Sequence, residues 1–419
     1  MVLIDWLVFS VYRFLLMPLA VLLLRIFSSL LPPKMQEMMA DRAARNLQAL
    51  PARPIWVHAS SGEIEYAKSL IRAIKEQYPQ VPVLVTYFSP SAKKLIQRFP
   101  GIDLAMALPW DLRTEMDRFL DFYKPRACLI ARTDVWPEMA RRLKKREIPS
   151  VLFSATLAAS SSRKGLLASS LSRIAFNSLS MIFCVSYEDQ ENFRQLGVRS
   201  PCEVAGDTRF DQILHRLKHP QPIKTQLKPL GSAPLFVCGS TWPEDEEVLI
   251  ESFQDWFDRG GRVVIAPHEV DYERIEDLRE TLEARGWSVQ TYLEATDWSS
   301  QILLVNQVGC LQEIYTWGHL AFVGGSFKDK VHSVMEPLCT GMPVCVGPHH
   351  HNNREAQMFQ HVILKPGFFA VNVIQNAVDL RTNMSRSQAI EVPSANLMTR
   401  IHNASGATAQ VMTWLGAQI

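Results

Sequence analysis

The stretch that decides the fold is Ile55-Trp56-Val57-His58-Ala59-Ser60-Ser61-Gly62-Glu63. Its first half is rich in apolar and β-branched residues, which predicts a buried strand, and Gly62 then permits a tight turn. A helical pattern follows from Glu63 to about Tyr78. A strand that passes through a glycine turn into a helix is typical of a parallel sheet with helices on both faces.

The same alternation of strand-like and helical stretches continues to about residue 214. It weakens over 215–232, where proline, glycine and lysine cluster, and starts again over 233–419. We therefore predict an α/β protein with two Rossmann-like domains, 34–214 and 233–419, joined by a linker and facing a central cleft. Ligands of such sheets bind beyond the carboxyl ends of the strands, so the chemistry is expected in the loops that follow them.

The first 33 residues differ from the rest and predict an N-terminal membrane anchor. Residues 2–31 are mostly Leu, Val, Phe, Ile and Trp, and their only charges are Asp5, Arg13 and Arg25. The longest uninterrupted apolar run is shorter than the roughly 20 residues that cross a bilayer. A tilted span, an in-plane helix and a buried core helix therefore remain open. The basic residues that follow favour a cytoplasmic face.

Composition argues against several other classes of protein. The 44 basic and 42 acidic residues give a net charge of +2, which offers no electrostatic reason for a nucleic-acid partner. The seven cysteines are scattered, form no CxxC pair and lie mostly in apolar runs, so they predict buried thiols in a reducing compartment. His349, His350 and His351 are adjacent, a spacing that does not easily converge on one ion. We predict no metal site and place His350 and His351 at the surface.

Seven short motifs, in this order, resemble those of the 3-deoxy-D-manno-octulosonate (Kdo) transferase family. They are HASSGE (58–63), TDVWP (133–137), GDTRFD (206–211), GSTWPEDEE (239–247), VGGSF (323–327), HSVMEP (332–337) and GPHHHNNRE (347–355). The resemblance implies a membrane-bound, inverting glycosyltransferase of the GT-B type that needs no cofactor. Its donor would be CMP-Kdo, its acceptor the lipid A precursor lipid IVA, and its location the cytoplasmic face of the inner membrane. The last 50 or so residues carry no motif.

The resemblance also implies roles for individual residues. Glu63 matches the catalytic acidic residue of the family. Its carboxylate would act as the base that accepts the proton of the acceptor hydroxyl. The predicted donor-binding residues are Arg209, Gly239, Ser240, Thr241, His268, Gly324, Gly325, Ser326, Glu336, Asn352 and Glu355. The predicted acceptor-side residues are Ser60, Ser61, Arg132 and Asp134. The backbone around Ser240 and Thr241, just before a helix that starts near Pro243, is predicted to hold the donor phosphate.

Two stretches that follow predicted strands of the first domain depart from the family pattern. The usual Glu-Thr-Glu reads Arg132-Thr133-Asp134, and an arginine expected at 156 is Thr156. We hypothesise that a cationic group has moved between neighbouring strand ends. Because these loops belong to the domain expected to hold the acceptor, the identity of the acceptor is more open than that of the donor. The alternatives are a transferase with another nucleotide sugar or acceptor, a sugar-nucleotide epimerase or hydrolase of the same fold, and a non-catalytic membrane-attached binding protein.

Overall fold

The protein divides into two compact units, seen in a computed structural model that describes residues 2–97, 99–228 and 233–419. The first unit comprises Met1–Gln212 and Ala404–Ile419, and the second comprises Ile213–Asn403. The division falls inside a helix rather than in the predicted linker 215–232, of which residues 229–232 lie outside the described residues. It also differs from the predicted domain 233–419 at its end, because the last helix belongs to the first unit.

The helices begin where the sequence supplies suitable first residues, including proline at the first position of three of them. In chain order they are α1 (Val2–Val11), α2 (Met17–Ile26), α3 (Pro33–Ala43), α4 (Ile64–Gln77), α5 (Ala92–Gln97), α6 (Arg113–Tyr123), α7 (Pro137–Lys145), α8 (Leu166–Phe176), α9 (Tyr187–Leu196), α10 (Thr208–Lys218), α11 (Pro243–Phe257), α12 (Tyr272–Glu283), α13 (Leu311–Tyr315), α14 (Met335–Cys339), α15 (Arg354–Phe359), α16 (Ala377–Ser387), α17 (Ala395–Ala404) and α18 (Ala407–Gly416).

The described part of the first unit is built on a seven-stranded parallel sheet. Its strands are β1 (Ile55–His58), β2 (Val83–Tyr87), β3 (Leu104–Ala107), β4 (Ala127–Ala131), β5 (Ser150–Ala155), β6 (Met181–Cys184) and β7 (Cys202–Val204). Their order is β3-β2-β1-β4-β5-β6-β7. The chain therefore winds outward from β1 on one side and from β4 on the other, and the winding reverses between these two central strands.

Both faces of this sheet are covered, as the continuous apolar strands predict. Trp56 and Phe119 pack on one face with ring centroids 4.8 Å apart. On the other face, Val411 and Leu415 of α18 are fully buried against the core beside α4. Asp211 accepts hydrogen bonds from the N–H groups of two residues at the start of α18, at 2.6 and 2.7 Å. These contacts explain why the C-terminal helix returns to the first unit.

The second unit repeats the plan with seven parallel strands among the residues described. They are β8 (Leu235–Thr241), β9 (Arg262–Pro267), β10 (Val289–Thr291), β11 (Ile302–Leu304), β12 (Leu320–Val323), β13 (Val344–Val346) and β16 (Val371–Val373). Two further strands, β14 (Ile363–Lys365) and β15 (Phe368–Phe369), form a separate antiparallel hairpin. The order is β10-β11-β9-β8-β12-β13-β16, so the winding reverses between β8 and β12. The prediction of two Rossmann-like sheets is confirmed.

The predicted N-terminal apolar helix is present. Leu3–Ile26 forms one helix of 24 residues, interrupted only by a π-helical turn, and by length and composition it is able to cross a membrane. Its polar side chains bind the rest of the first unit: Asp5 pairs with Arg173, and the Tyr12 hydroxyl donates to Asp111 at 2.8 Å. Arg13 pairs with Glu138 at 3.1 Å. The opposite side exposes large apolar residues, among them Leu3 and Phe14.

We predict that Gly324→Ala destabilises the second unit. A methyl group there would lie 2.2 Å from the carbonyl oxygen of Ser240, so the two strand ends would have to separate. The midpoint of thermal unfolding should fall by roughly 2–10 °C, the consequence of overpacking in a unit of this size. Gly62→Ala is the matched control, because a methyl group at Gly62 meets nothing within 4 Å. Equal midpoints for the two variants would contradict the prediction.

Candidate active site

The predicted site residues gather at the two places where the sheet winding reverses. In the first unit, Ser60, Ser61 and Glu63 follow β1, and Arg132 and Asp134 follow β4. In the second unit, residues 239–241 are the last three residues of β8, and residues 324–326 follow β12. Carboxyl ends of neighbouring parallel strands open a crevice where the winding reverses, and ligands of α/β sheets bind there.

A chain of hydrogen bonds joins the ends of β1, β2 and β4. Asp134 Oδ2 lies 2.8 Å from His58 Nε2 and also accepts from the Ser60 hydroxyl. Because a carboxylate only accepts, the proton of His58 lies on Nε2. His58 Nδ1 lies 2.9 Å from Thr86 Oγ1 and 3.1 Å from the Thr86 carbonyl oxygen, and Thr86 Oγ1 accepts from Trp56 Nε1 at 2.8 Å.

This chain fixes the charge and the position of Asp134. Burial raises the pKa of Asp134, but the hydrogen bonds and charge of His58, together with the Ser60 hydroxyl, outweigh it and hold the pKa below its usual value. The carboxylate is therefore ionised at neutral pH. Since His58 is completely buried and hydrogen-bonded at both nitrogens, it holds Asp134 in one place.

Glu63 lies between the carboxyl end of β1 and the start of α4. It is the last residue before α4, it is half-buried, and its Oε2 accepts the N–H of Ser61 at 2.8 Å. Gly62 is exposed and a side chain there would meet nothing within 4 Å, so the loop is open on the side of the turn. The Ser61 hydroxyl bonds instead to that of Ser91, 2.7 Å away.

Two arginines approach the ring of Tyr66, one turn into α4. The guanidinium carbon of Arg132 lies 4.7 Å from the ring centroid and that of Arg209 lies 5.7 Å away. Arg132 has a φ of 65°, an uncommon value for a residue with a side chain. Its Nη1 is buried, makes no hydrogen bond among the described residues and lies 3.9 Å from Asp207 Oδ2. Arg209, predicted to bind the donor, thus lies beside the acceptor-side Arg132.

A cavity of about 310 Å³ opens beside Asp134 in the first unit. Trp136, Pro137, Arg163 and Leu171 are among the residues that line it. Tyr12 of the N-terminal helix lines it as well. A mixed apolar and cationic cavity of this size accommodates part of a sugar or of a small lipid headgroup.

In the second unit, the predicted glycines serve the packing of strand ends against each other. A side chain on Gly239 would lie 2.0 Å from the Tyr315 hydroxyl, and one on Gly324 would meet the backbone of Ser240 and Thr241. Gly325 has a φ of 88°, and a side chain there would lie 2.3 Å from the carbonyl oxygen of Lys330. Each glycine is therefore required by a contact within the protein itself.

Asp245 binds the loops next to the Ser240-Thr241 backbone that was predicted to hold a phosphate. Its carboxylate accepts from the N–H groups of Trp242, Gly325 and Phe327, at 3.0, 2.6 and 3.1 Å. The start of α11 and the loop after β12 are thus tied to a protein carboxylate, and the first turn also carries Glu244 and Glu246. These charges oppose an anion at the end of α11 itself, and the phosphate contact of the Ser240 and Thr241 backbone stays a prediction.

Ser326 has a similar structural role. It is fully buried, and its hydroxyl accepts the N–H of Gly347 at 2.7 Å and donates to the Val323 carbonyl at 3.3 Å. It joins the loops that follow β12 and β13. The Thr241 hydroxyl is likewise buried and donates to Glu246 at 2.7 Å.

The exposed surface at these strand ends is formed by a stack of rings. His268 stacks on Trp242 with centroids 4.8 Å apart and on His332 at 4.4 Å. Lys328 Nζ lies 3.6 Å from the Trp242 centroid. Trp242 Nε1 donates to His332 Nε2 at 3.0 Å, which requires that nitrogen to be unprotonated. Burial, with the charges of His268 and Lys330, lowers the pKa of His332 to about 4.

The remaining predicted donor residues follow β12 and β13. Glu336 is in the first turn of α14 and half-buried, Asn352 is exposed, and its Nδ2 donates to the Val331 carbonyl at 3.3 Å. Glu355 lies in the first turn of α15 and is half-buried. His350, predicted at the surface, is instead buried, because its ring nitrogens bond the Pro348 carbonyl and Gln360. No group of three potential metal-binding side chains is found among the described residues.

Comparisons with known proteins agree with this arrangement. The family model of 3-Deoxy-D-manno-octulosonic-acid transferase (kdotransferase) matches residues 34–212. A 3-deoxy-D-manno-octulosonic acid transferase of Haemophilus influenzae is 25% identical over 374 residues, 85% of this chain and 86% of its own length. One from Aquifex aeolicus is 26% identical over 311 residues, 73% and 79% of the two chains. Over residues 34–212, and in these two alignments over most of its length, the chain is similar to Kdo transferases.

Solved structures extend the comparison to the fold. A UDP-GlcNAc 2-epimerase from Neisseria meningitidis has a TM-score of 0.58 at 14% identity and covers 86% of this chain and 99% of its own. The epimerase from Methanocaldococcus jannaschii has a TM-score of 0.54 at 13% identity and covers 86% and 99%. At such identities the likeness concerns the fold alone. The chain has a GT-B-like α/β fold.

Four residues of the candidate site were absent from the predicted set: Tyr66, Thr86, Trp242 and Asp245. Tyr66 lies three residues after Glu63, and helical spacing places it on the same side of α4. Thr86 ends a strand next to β1, where a polar residue in an apolar run signals a partner. The acidic run after Pro243 was visible in the sequence and pointed to a self-capped helix.

We predict that His332 makes stability depend on pH. The folded protein keeps His332 neutral down to about pH 4, whereas the unfolded chain protonates this histidine near 6.5. The unfolded state therefore binds more protons between these values, and stability falls as pH drops from 6.5 towards 4. The thermal midpoint of His332→Gln should fall less steeply over pH 7 to 5 than that of the wild type. The exposed His351→Gln is the control and should keep the wild-type slope; equal slopes for all three proteins would refute the assignment.

Proposed function

We propose that this chain transfers Kdo from CMP-Kdo to the lipid A precursor lipid IVA in lipopolysaccharide biosynthesis, with inversion at the anomeric carbon. The observation that carries the proposal is the placement of the family's motif residues at the reversal point of each sheet: 58–63 with 132–134 in one unit, and 239–241 with 324–326 in the other. In this assignment the first unit receives the acceptor and the second unit holds CMP-Kdo.

Glu63 is the proposed catalytic base. Displacement of CMP by a sugar hydroxyl requires a group that accepts the hydroxyl proton as the bond forms. Glu63 is half-buried and held by the Ser61 N–H, so its carboxylate is both positioned and reachable. Asp134 is the weaker candidate, since its lowered pKa makes it a poor base and one of its oxygens already has two partners. We assign Asp134 to positioning, together with Ser60 and Ser61.

Arg132 and Arg209 form the proposed anion clamp of the first unit. A guanidinium binds a phosphate or a carboxylate of a substrate with two parallel hydrogen bonds. Arg132 Nη1 is buried without a hydrogen-bond partner among the described residues, which favours a substrate oxygen as its partner. Arg132 and Thr156 both follow the ends of neighbouring strands, consistent with a cation relocated from one loop to the other.

Donor binding in the second unit is proposed for side chains that remain accessible. Glu336 would accept from the ribose hydroxyls, and Asn352, Glu355 and His268 would line the same site. The ring stack around Trp242 offers a flat surface next to them. Gly239, Ser240, Thr241, Gly324, Gly325 and Ser326 would shape the loops that carry this surface rather than contact the donor through their side chains.

The N-terminal helix is proposed to lie in the plane of the inner membrane, on its cytoplasmic face. Its polar contacts with the first unit extend from Asp5 to Arg25, which pairs with Glu115 at 3.1 Å. A helix that crossed the bilayer would carry these charge pairs into the hydrocarbon, at a high cost in free energy. An in-plane helix keeps them next to the protein and presents its exposed apolar side to the lipid. A lipid-linked acceptor is thereby kept close to the enzyme.

The test of the base is the variant Glu63→Gln, which keeps an oxygen for the Ser61 N–H but removes the basic carboxylate. We expect turnover to fall by roughly 10²–10⁴-fold while CMP-Kdo binding is nearly unchanged. Glu65→Gln, one residue into the same helix, is the matched control and should retain activity. Glu336→Ala should instead weaken donor binding. Wild-type turnover by Glu63→Gln would rule out Glu63 as the base.

A second test concerns the relocated cation. Arg132→Glu should abolish transfer, because it replaces the proposed anion-binding guanidinium with a carboxylate that repels the anionic group of the substrate. Adding Thr156→Arg to this variant should restore part of the activity, since the two positions follow adjacent strands. Initial rates with CMP-Kdo and a tetra-acylated lipid A precursor measure both effects. No recovery in a double variant that folds normally would contradict the relocation.

A further inference from the structure

A cavity of about 690 Å³ lies where the N-terminal helix meets α7 and α8, apart from the residues assigned to catalysis. Five of its lining residues are cationic: Arg141, Lys144, Lys145, Arg173 and Arg199. Asp5 is the single carboxylate of the lining. The family motifs and the proposed reaction leave this cluster of charge without a role.

The charge of the cavity exceeds what the protein itself neutralises. The helices α7, α8 and α9 all end at the cavity, and each carbonyl end contributes about half a negative charge. Together with Asp5 they offset about half of the five cations. The capping of helix ends by basic residues, which is the usual reason for such clusters, therefore leaves a positive excess of about two and a half charges.

The excess resides mainly on Lys145 and Arg199. Arg173 holds Asp5, and Lys144 Nζ donates to the Asn177 carbonyl at 2.8 Å. The Arg141 guanidinium stacks on Trp6, 4.1 Å from the ring centroid. In the part of the chain that the structure describes, the exposed side chains of Lys145 and Arg199 have neither an ion pair nor a hydrogen bond.

The cavity lies beside the apolar surface of the helix. Trp6 lines it and is 43% exposed, and the neighbouring Leu3 and Leu7 are 84% and 66% exposed. Tryptophan is enriched at the level of the lipid headgroups, where its ring is partly in hydrocarbon and its N–H in water. A helix that buries Leu3 and Leu7 in a lipid surface thus brings Lys145 and Arg199 to the depth of the phosphates.

We propose that this cavity binds the phosphate group of a membrane lipid. An ammonium and a guanidinium that converge on one opening match the charge and the oxygens of a phosphate, and basic pockets next to membrane helices bind anionic headgroups. The site would fix the rotation of the N-terminal helix on the membrane, because Arg173 and Arg141 bind that helix from the same cavity. The inference rests on the in-plane helix proposed above, but not on the identity of the transferred sugar.

The test uses the full chain and vesicles. Partition is measured by flotation with phosphatidylcholine alone, with phosphatidylcholine containing phosphatidylglycerol, and with phosphatidylcholine containing a lipid A precursor. Lys145→Ala/Arg199→Ala is compared with Arg194→Ala/Lys218→Ala, which removes the same charge from exposed positions outside the cavity. Both cavity side chains are exposed, so normal folding is expected and is checked by the thermal midpoint.

We expect the cavity variant to bind vesicles with phosphate-bearing anionic lipid roughly 10–30-fold more weakly than the control, as two cations near a membrane predict. Its binding to neutral vesicles should match the control. Equal binding of the two variants to every vesicle would overturn the proposal. A second result would also overturn it: millimolar inorganic phosphate displaces the wild type from vesicles, and anionic lipid does not strengthen its binding to them. Free phosphate would then be the ligand. Failure of the wild type to bind neutral vesicles would contradict the in-plane helix instead.

Discussion

The reversal of winding at the centre of each sheet is the constraint on which the site depends. At β1 and β4, and again at β8 and β12, the loops leave the sheet in opposite directions and open a crevice that side chains must bridge. In the first unit the bridge is the bond from His58 to Asp134, and in the second it is Asp245 with the Gly325 N–H. These buried, charge-assisted hydrogen bonds hold the strand ends in register and leave the neighbouring, more exposed groups to act on substrates.

This arrangement separates residues that position from residues that react. Asp134 Oδ2 and the hydroxyls of Ser326 and Thr241 are hydrogen-bonded within the protein, so these side chains position the loops. Glu63, Arg132 and the ring stack at Trp242 are accessible or lack a full set of partners, which suits contact with substrate. The N-terminal helix follows the same logic, since its polar side chains bind the first unit while its apolar side remains uncovered.

The sequence was sufficient for the elements and insufficient for their long-range contacts. Apolar strands such as 55–58 and their following helices were predicted because burial on both faces leaves a continuous apolar run. The position of Glu63 at a strand end followed from the same pattern. The return of α18 to the first unit depends on Asp211, nearly 200 residues earlier, and no local signal reports such a pairing.

Other details that local patterns do not show have the same origin. The phosphate contact around Ser240 and Thr241 stays a prediction, but no local pattern indicated that Asp245 joins the start of α11 to the loop after β12. His350 was placed at the surface because three adjacent histidines are polar, whereas Gln360 and the Pro348 carbonyl allow its burial. In each case a partner distant in sequence satisfied a polar group whose own neighbours gave no sign of it.

The most direct measurement of the account is the mass of the product formed from CMP-Kdo and a tetra-acylated lipid A precursor by the purified chain. The account predicts a gain equal to a whole number of Kdo residues, with one CMP released for each Kdo added. Release of CMP without any gain in the mass of the lipid, or transfer from a uridine or guanosine donor in place of CMP-Kdo, would contradict it.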